Sequence, residues 1–195
     1  MTLNAVAVFC GSSFGNDPTY AEAARLTGRT LAERGIAVVY GGGHVGLMGA
    51  VADAALEAGG KVIGVIPKQL DDRELAHHGL TELHVVESMH ERKAMMAELS
   101  EAFIALPGGA GTLEEIAEQW TWAQLTIHSK PCGFLDVGGF WSPMRQMLDG
   151  MVSAGFVRAE QSGIVSFSAD LDELLGMLET PGPWTDKWGA ETPEP

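Results

Sequence analysis

Seven short, uninterrupted apolar runs recur along the chain, and they constrain its fold more than any other feature. They occupy residues 4–10, 36–40, 61–66, 83–86, 102–106, 132–135 and 163–167. A strand with one wet face alternates apolar and polar residues, whereas a strand covered on both faces is apolar throughout. The runs are too short for buried helices and are bounded by Gly, Pro or polar clusters, so they read as buried strands. Between them lie stretches that read as helices, at 18–34, 46–58, 88–99, 112–127 and 142–154, with a last one at 171–178. Residues 68–80 read as an irregular polar loop. Regular alternation of strand and helix predicts an α/β fold: a doubly wound, Rossmann-like parallel sheet with helices on both faces.

A chain of 195 residues has the length of one domain. Residues 1–180 are read as that domain, and residues 181–195, with four of the nine prolines, as a flexible C-terminal tail. The uncharged stretch at 35–52 is long enough to span a membrane, but its glycines and its change of pattern make it strand, loop and helix. The N-terminus lacks a basic region, so no signal peptide is expected. Cys10 and Cys132 have no metal-ligand spacing and read as buried thiols. A soluble, cytoplasmic protein without a membrane partner is the expectation.

Glycine is abundant, at 25 residues, and its placement is informative. Three clusters directly follow strands: Gly11-Ser12-Ser13, Gly41-Gly42-Gly43-His44-Val45-Gly46 and Pro107-Gly108-Gly109-Ala110-Gly111-Thr112. In a parallel sheet all three fall at the carboxyl edge, where ligands bind. Glycine lets a ligand approach the backbone, and a helix N-terminus beyond it offers free amides to an anion. A phosphate-bearing small molecule is therefore expected. The net charge of −14, from 12 basic and 26 acidic residues, argues against a nucleic acid polymer, which is held through basic residues.

Residues 41–46 also match G-x-G-x-x-G, but the next strand ends Val65-Ile66-Pro67-Lys68, without the carboxylate that a dinucleotide ribose needs. No P-loop motif occurs. The six histidines form no ligand cluster, and no metal or organic cofactor is expected. Thr112-Leu113-Glu114-Glu115 fits a capping box, which would give Glu115 a structural role. Ser88-Met89-His90-Glu91 has the same form, with Glu91 as a cap. Arg92 and Lys93 follow in the first turns of a helix, where cations are unfavourable unless an anion compensates.

Residues 107–115 are similar to the PGGxGTxxE motif of the LONELY GUY (LOG) family, the cytokinin riboside 5′-monophosphate phosphoribohydrolases. Met89-His90-Glu91-Arg92-Lys93, Tyr40-Gly41-Gly42-Gly43 and Gly46-Leu47-Met48-Gly49 support the resemblance, which runs from about residue 6 to about residue 167. One departure is Thr126, where glycine is expected. The resemblance implies hydrolysis of the N-glycosidic bond of a nucleoside 5′-monophosphate, giving free base and ribose 5-phosphate. It implies Arg92 and Glu115 as catalytic residues. Substrate contacts are expected from Ser12, Ser13, Gly42, Gly43, Glu74, Met89, Lys93, Gly108, Gly109, Ala110, Gly111 and Thr112.

Such a reaction passes through an oxocarbenium-like state that a carboxylate can stabilise. A position near a helix N-terminus is expected to keep Glu115 ionised. Some family members carry a lysine-decarboxylase label, yet no Schiff-base lysine site is visible. A nucleotide-binding or sensing protein of the same fold, without turnover, is the alternative. The resemblance also implies a homodimer with the active site near its interface. The apolar stripe Leu113, Ile116, Trp120, Ala123 and Ile127 serves either the core or that interface.

Overall fold

The strands fall where the apolar runs stand, and each is followed by a helix. The structure, a computed structural model, describes residues 2–72 and 75–183. The strands are β1 (Ala5–Phe9), β2 (Ala37–Tyr40), β3 (Val62–Pro67), β4 (Glu82–Val86), β5 (Ala102–Ala105), β6 (Cys132–Leu135) and β7 (Val165–Ser168). The helices are α1 (Pro18–Glu33), α2 (Gly46–Glu57), the short α3 (Lys68–Asp71), α4 (Met89–Glu98), α5 (Ala110–Gln124), α6 (Ser142–Ser153) and α7 (Leu171–Glu179). All paired strands are parallel, in the order β4-β3-β2-β1-β5-β6-β7.

The two faces of the sheet carry separate cores. Val6, Val8, Val38, Tyr40 and Ile104 pack with α1, α2 and α7. Their neighbours Ala7, Phe9, Val39 and Phe103 point the other way and pack with α4, α5 and α6. This period of two along strands buried on both faces explains their continuous hydrophobicity. The α1–α2 contact is close because Gly28 has no side chain: a Cβ there would lie 2.1 Å from the Val51 carbonyl oxygen.

Local signals place the helix starts. Asp17 caps α1 by accepting from the Thr19 amide at 2.9 Å, and Pro18 occupies its first turn. Ser88 caps α4 by accepting from the Glu91 amide at 3.1 Å. Glu91 reaches back, as expected of a cap, but to the Glu87 amide at 2.9 Å.

Several sequence expectations need correction. Helix α5 starts at Ala110 with Gly109 as its N-cap, so Thr112 lies inside the first turn and does not cap it. β3 runs one residue past the apolar run at 61–66 and ends on Pro67, which pairs in register with Val86. The loop at 68–80 contains α3 and a bridge from Ala76 to Gly43. The last strand begins at Val165 because Ala159–Ile164 form a 3-10 helix. Of the expected tail, residues 184–195 lie outside the described residues.

Candidate active site

With β1 seated between β2 and β5, the loops after these three strands converge at one edge. They enclose a cavity of about 420 Å³. Cys10, Gly11 and Ser12 line it from the end of β1; Gly41, Gly43, Val45 and Met48 from β2 and α2. Gly109, Ala110, Gly111, Thr112 and Glu115 come from the start of α5, and Met89 and Arg92 from the start of α4. Ile66, Leu70 and Leu75 add an apolar wall from the end of β3 and the segment after it.

The start of α5 leaves its first amides free of helical partners. Its first backbone bond runs from the Leu113 amide to the Gly109 carbonyl at 3.1 Å, so the amides of Ala110, Gly111 and Thr112 precede the helical ladder. Gly109 offers no capping side chain, and the first turn holds no acidic residue. The Thr112 side chain is buried against Gly108, where a Cβ would lie 2.1 Å from Thr112 Oγ1.

Glu115 sits one turn further along. Arg92 Nη2 donates to Glu115 Oε1 at 2.7 Å, and both side chains are 9% exposed. Arg92 Nη1 also points to Met89 Sδ at 3.8 Å, while its buried Nε has no protein partner. Burial pushes the Glu115 carboxyl above the ordinary carboxylate range, Arg92 pulls against that, and Glu114 adds to the rise. Burial is thus the largest influence on the acidity of Glu115, with the Arg92 charge opposing it. Its partner is Arg92 rather than a cap amide, so the capping role is not realised. Burial likewise pushes the Cys10 thiol far up, so it is an un-ionised part of the cavity wall.

Lys93 turns away from the cavity. Its side chain, 5% exposed, lies between Glu114 and Glu118 of α5; Glu118 Oε1 accepts from Nζ at 3.0 Å. Burial alone would lower the Lys93 pKa, but the hydrogen bonds to these two carboxylates leave it raised. The anions that offset the basic pair at the start of α4 thus belong to the protein itself.

The other expected residues divide as follows. Ser12, Gly43, Met89 and residues 109–112 line the cavity. Ser13 and Gly108 line an adjoining hollow of about 280 Å³ that shares Gly11, Ser12 and Gly109 with it. Gly42 serves the fold: its φ is +74°, and its carbonyl accepts from the His77 amide at 2.8 Å. Glu74 lies outside the described residues. Sequence reasoning missed Cys10 and the apolar wall, and put Gly41 at this edge without naming it as a contact. The signal for that wall was faint: Leu70 and Leu75 are isolated apolar residues in a stretch otherwise read as polar loop.

Comparison with known proteins adds to this geometry. The family described as "Possible lysine decarboxylase" matches residues 48–178. The cytokinin riboside 5′-monophosphate phosphoribohydrolase LOG of Oryza sativa subsp. japonica is 49% identical over 174 residues, covering 89% of this chain and 72% of that protein. The cytokinin riboside 5′-monophosphate phosphoribohydrolase of Rhodococcoides fascians is 44% identical over 181 residues, 92% of this chain and 91% of that protein. Among solved structures, the molybdenum cofactor carrier protein of Chlamydomonas reinhardtii superposes with a TM-score of 0.70 at 21% identity, over 91% of this chain and 97% of that one, a likeness of fold alone. Sequence kinship along most of its length makes this chain a member of the LONELY GUY family of cytokinin riboside 5′-monophosphate phosphoribohydrolases.

Proposed function

We propose that the cavity binds an N6-substituted adenosine 5′-monophosphate and that its residues hydrolyse the bond between ribose C1′ and the base. The single observation that carries this reading is the buried Arg92–Glu115 pair, set one helical turn from the uncapped start of α5. The names and high identity of the relatives from Oryza and Rhodococcoides support the same reaction.

The residues present account for each step. The amides of Ala110, Gly111 and Thr112, with the Ser12 and Thr112 hydroxyls, take the 5′-phosphate. That anchor fixes the distance from phosphate to C1′, so binding energy far from the bond lowers its barrier. The C1′–N bond breaks with its electron pair leaving on the base, and positive charge grows on the ribose. The Glu115 carboxylate, itself largely buried, stabilises that charge. Arg92 orients the carboxylate and offers its remaining N–H groups to the sugar. Water adds its oxygen to C1′; the proton it gives up balances the one taken up by the departing base. Met48, Ile66, Leu70 and Leu75 suit an apolar N6 substituent.

The test is incubation with N6-isopentenyladenosine 5′-monophosphate and with AMP, followed by chromatography for free base. Release of base and ribose 5-phosphate is expected. Tight binding without release from either nucleotide would instead make the protein a nucleotide carrier or sensor.

Two finer points belong to the same reading. A second copy of the chain covers the outer side of α5, forming a homodimer. On that helix Ile116, Trp120 and Ala123 are core, but Leu113 is 41% and Ile127, just past its end, 61% exposed. An apolar groove including Leu113, Pro143, Met144 and Met147 shares Gly109 and Ala110 with the cavity, which supports a partner copy docking close to it. A monomer mass by light scattering would refute this. The protein acts in the cytoplasm, where two buried free thiols stay reduced. No helix among the described residues is long and apolar enough to cross a membrane.

A further inference from the structure

Gly41 directly follows β2 and lines the cavity, and the Arg92 guanidinium lies on it. A Cβ built on Gly41 would fall 2.2 Å from Arg92 Nη2, 2.9 Å from Cζ and 3.4 Å from Nε. Three atoms of the guanidinium thus crowd one backbone position. Gly41 lacks the positive φ that would by itself demand glycine. The nearest obstacle to a side chain at Gly41 is therefore Arg92 itself.

Few other contacts hold that guanidinium. Glu115 takes one N–H of Nη2, and Met89 Sδ is a weak acceptor at 3.8 Å. Nε is buried and unpartnered. Such a group needs a surface to define its plane, and the bare main chain of Gly41 supplies one. The glycines after β2 also fit a cofactor-binding fingerprint, but at Gly41 the group that approaches the backbone belongs to the protein.

We propose that Gly41 is a positioning residue for the hydrolysis: by lacking a side chain it seats Arg92 in the plane that meets Glu115 and directs the remaining guanidinium donors. This inference rests on the role assigned above to the Arg92–Glu115 pair. A methyl group at Gly41 forces the guanidinium back from 2.2 Å to ordinary contact at about 3.5 Å, a shift of about 1.3 Å. A displacement of that size in a catalytic group lowers turnover by about 100-fold.

Four proteins decide the matter: wild type, Gly41→Ala, Arg92→Ala and the double variant. Gly41→Ala is expected to lower kcat by about 100-fold with KM nearly unchanged. It should also shift the Arg92 Nε–H resonance in the ¹⁵N spectrum and lower the Tm. In the Arg92→Ala background the same change should leave the Tm unchanged or raise it, because the clash is gone and alanine restricts the unfolded chain. If Gly41→Ala fails to fold while the double variant folds, the proposal is supported. Equal loss of Tm in both backgrounds, failure of both to fold, or a fully active Gly41→Ala overturns it. If wild type releases no base, the hydrolase reading fails, while the Tm cycle and the Arg92 resonance still decide the role of Gly41.

Discussion

Arg92 and Glu115 stand 23 residues apart in sequence, yet their side chains meet at 2.7 Å at the start of two different helices. Each is buried, so each depends on the other for its charge. Neither helix explains this pairing alone. It follows from β5, which carries the chain from the end of α4 to the start of α5 beside the same sheet edge.

Glu115→Gln keeps a hydrogen-bond acceptor for Arg92 but removes the charge. Turnover is expected to fall by at least about 10²–10³-fold, with the circular dichroism spectrum unchanged. Retention of most activity would return Glu115 to a structural role.

The acidity of Glu115 gives a pH signature. In the proposed mechanism its carboxyl acts ionised, and burial holds its pKa above the ordinary range despite Arg92. The acid limb of the kcat profile should therefore lie above the ~4.3 of a free glutamate. The sign for stability is the opposite of a usual salt-bridged acid. Any contribution of the protonated form is fully present below the unfolded pKa and is lost as pH rises through the folded one. The Tm of Glu115→Gln should accordingly gain on that of wild type as pH increases over this window.

Lys93 offers a choice between two roles. Buried between Glu114 and Glu118, it acts as a strut joining α4 to α5. Lys93→Met should lower the Tm by several degrees and leave KM for the nucleotide nearly unchanged. A direct phosphate ligand would behave in reverse, with a large rise in KM and an intact Tm.

Thr126 is the only non-glycine residue with positive φ among the described residues, at +58°. It follows the end of α5, where its amide and that of Ile127 bond back to the Ala123 and Trp122 carbonyls, both at 3.0 Å. This left-handed cap favours glycine, and a β-branched residue there costs about 1 kcal/mol. Thr126→Gly should raise the Tm by about 2–4 °C in a chain of this size, without altering kcat.

His128 is held neutral. Its Nδ1 accepts from the Lys130 amide at 3.2 Å, and its Nε2–H donates to Gln119 Oε1 at 3.2 Å. Burial, and then the charge of Lys130, lower its pKa to about 4. Stability from this arrangement is present above the unfolded pKa near ~6.5 and drains away as pH falls through the folded value. Wild type should lose more Tm than His128→Gln between pH 7 and 4.

The strands could be read from the sequence because a doubly covered strand must be apolar at every position. The start of α5 could not. Thr112 is a strong capping residue, but the glycine loop reaches its first helical turn earlier and makes Gly109 the cap. The two possible roles of Glu115 were equally legible, because a capping glutamate and a buried ion-pair glutamate leave the same local trace. What separated them was Arg92, a partner that only the fold brings near. The same holds for Lys93, whose position on α4 predicted an anion without saying that Glu114 and Glu118 would supply it. The missing glycine at 126 was legible as a departure, while its meaning came from the backbone angle.

The placement of β1 in the middle of the sheet has a consequence for how the protein holds together. One wing, β2 to β4, delivers Gly41, Ile66 and Met89 to the cavity; the other, beginning at β5, delivers the start of α5 and Glu115. A nucleotide lodged there bridges the two wings like a rivet across a seam. A fragment containing one wing alone holds only part of the cavity lining, so catalysis reports on the assembled sheet as a whole.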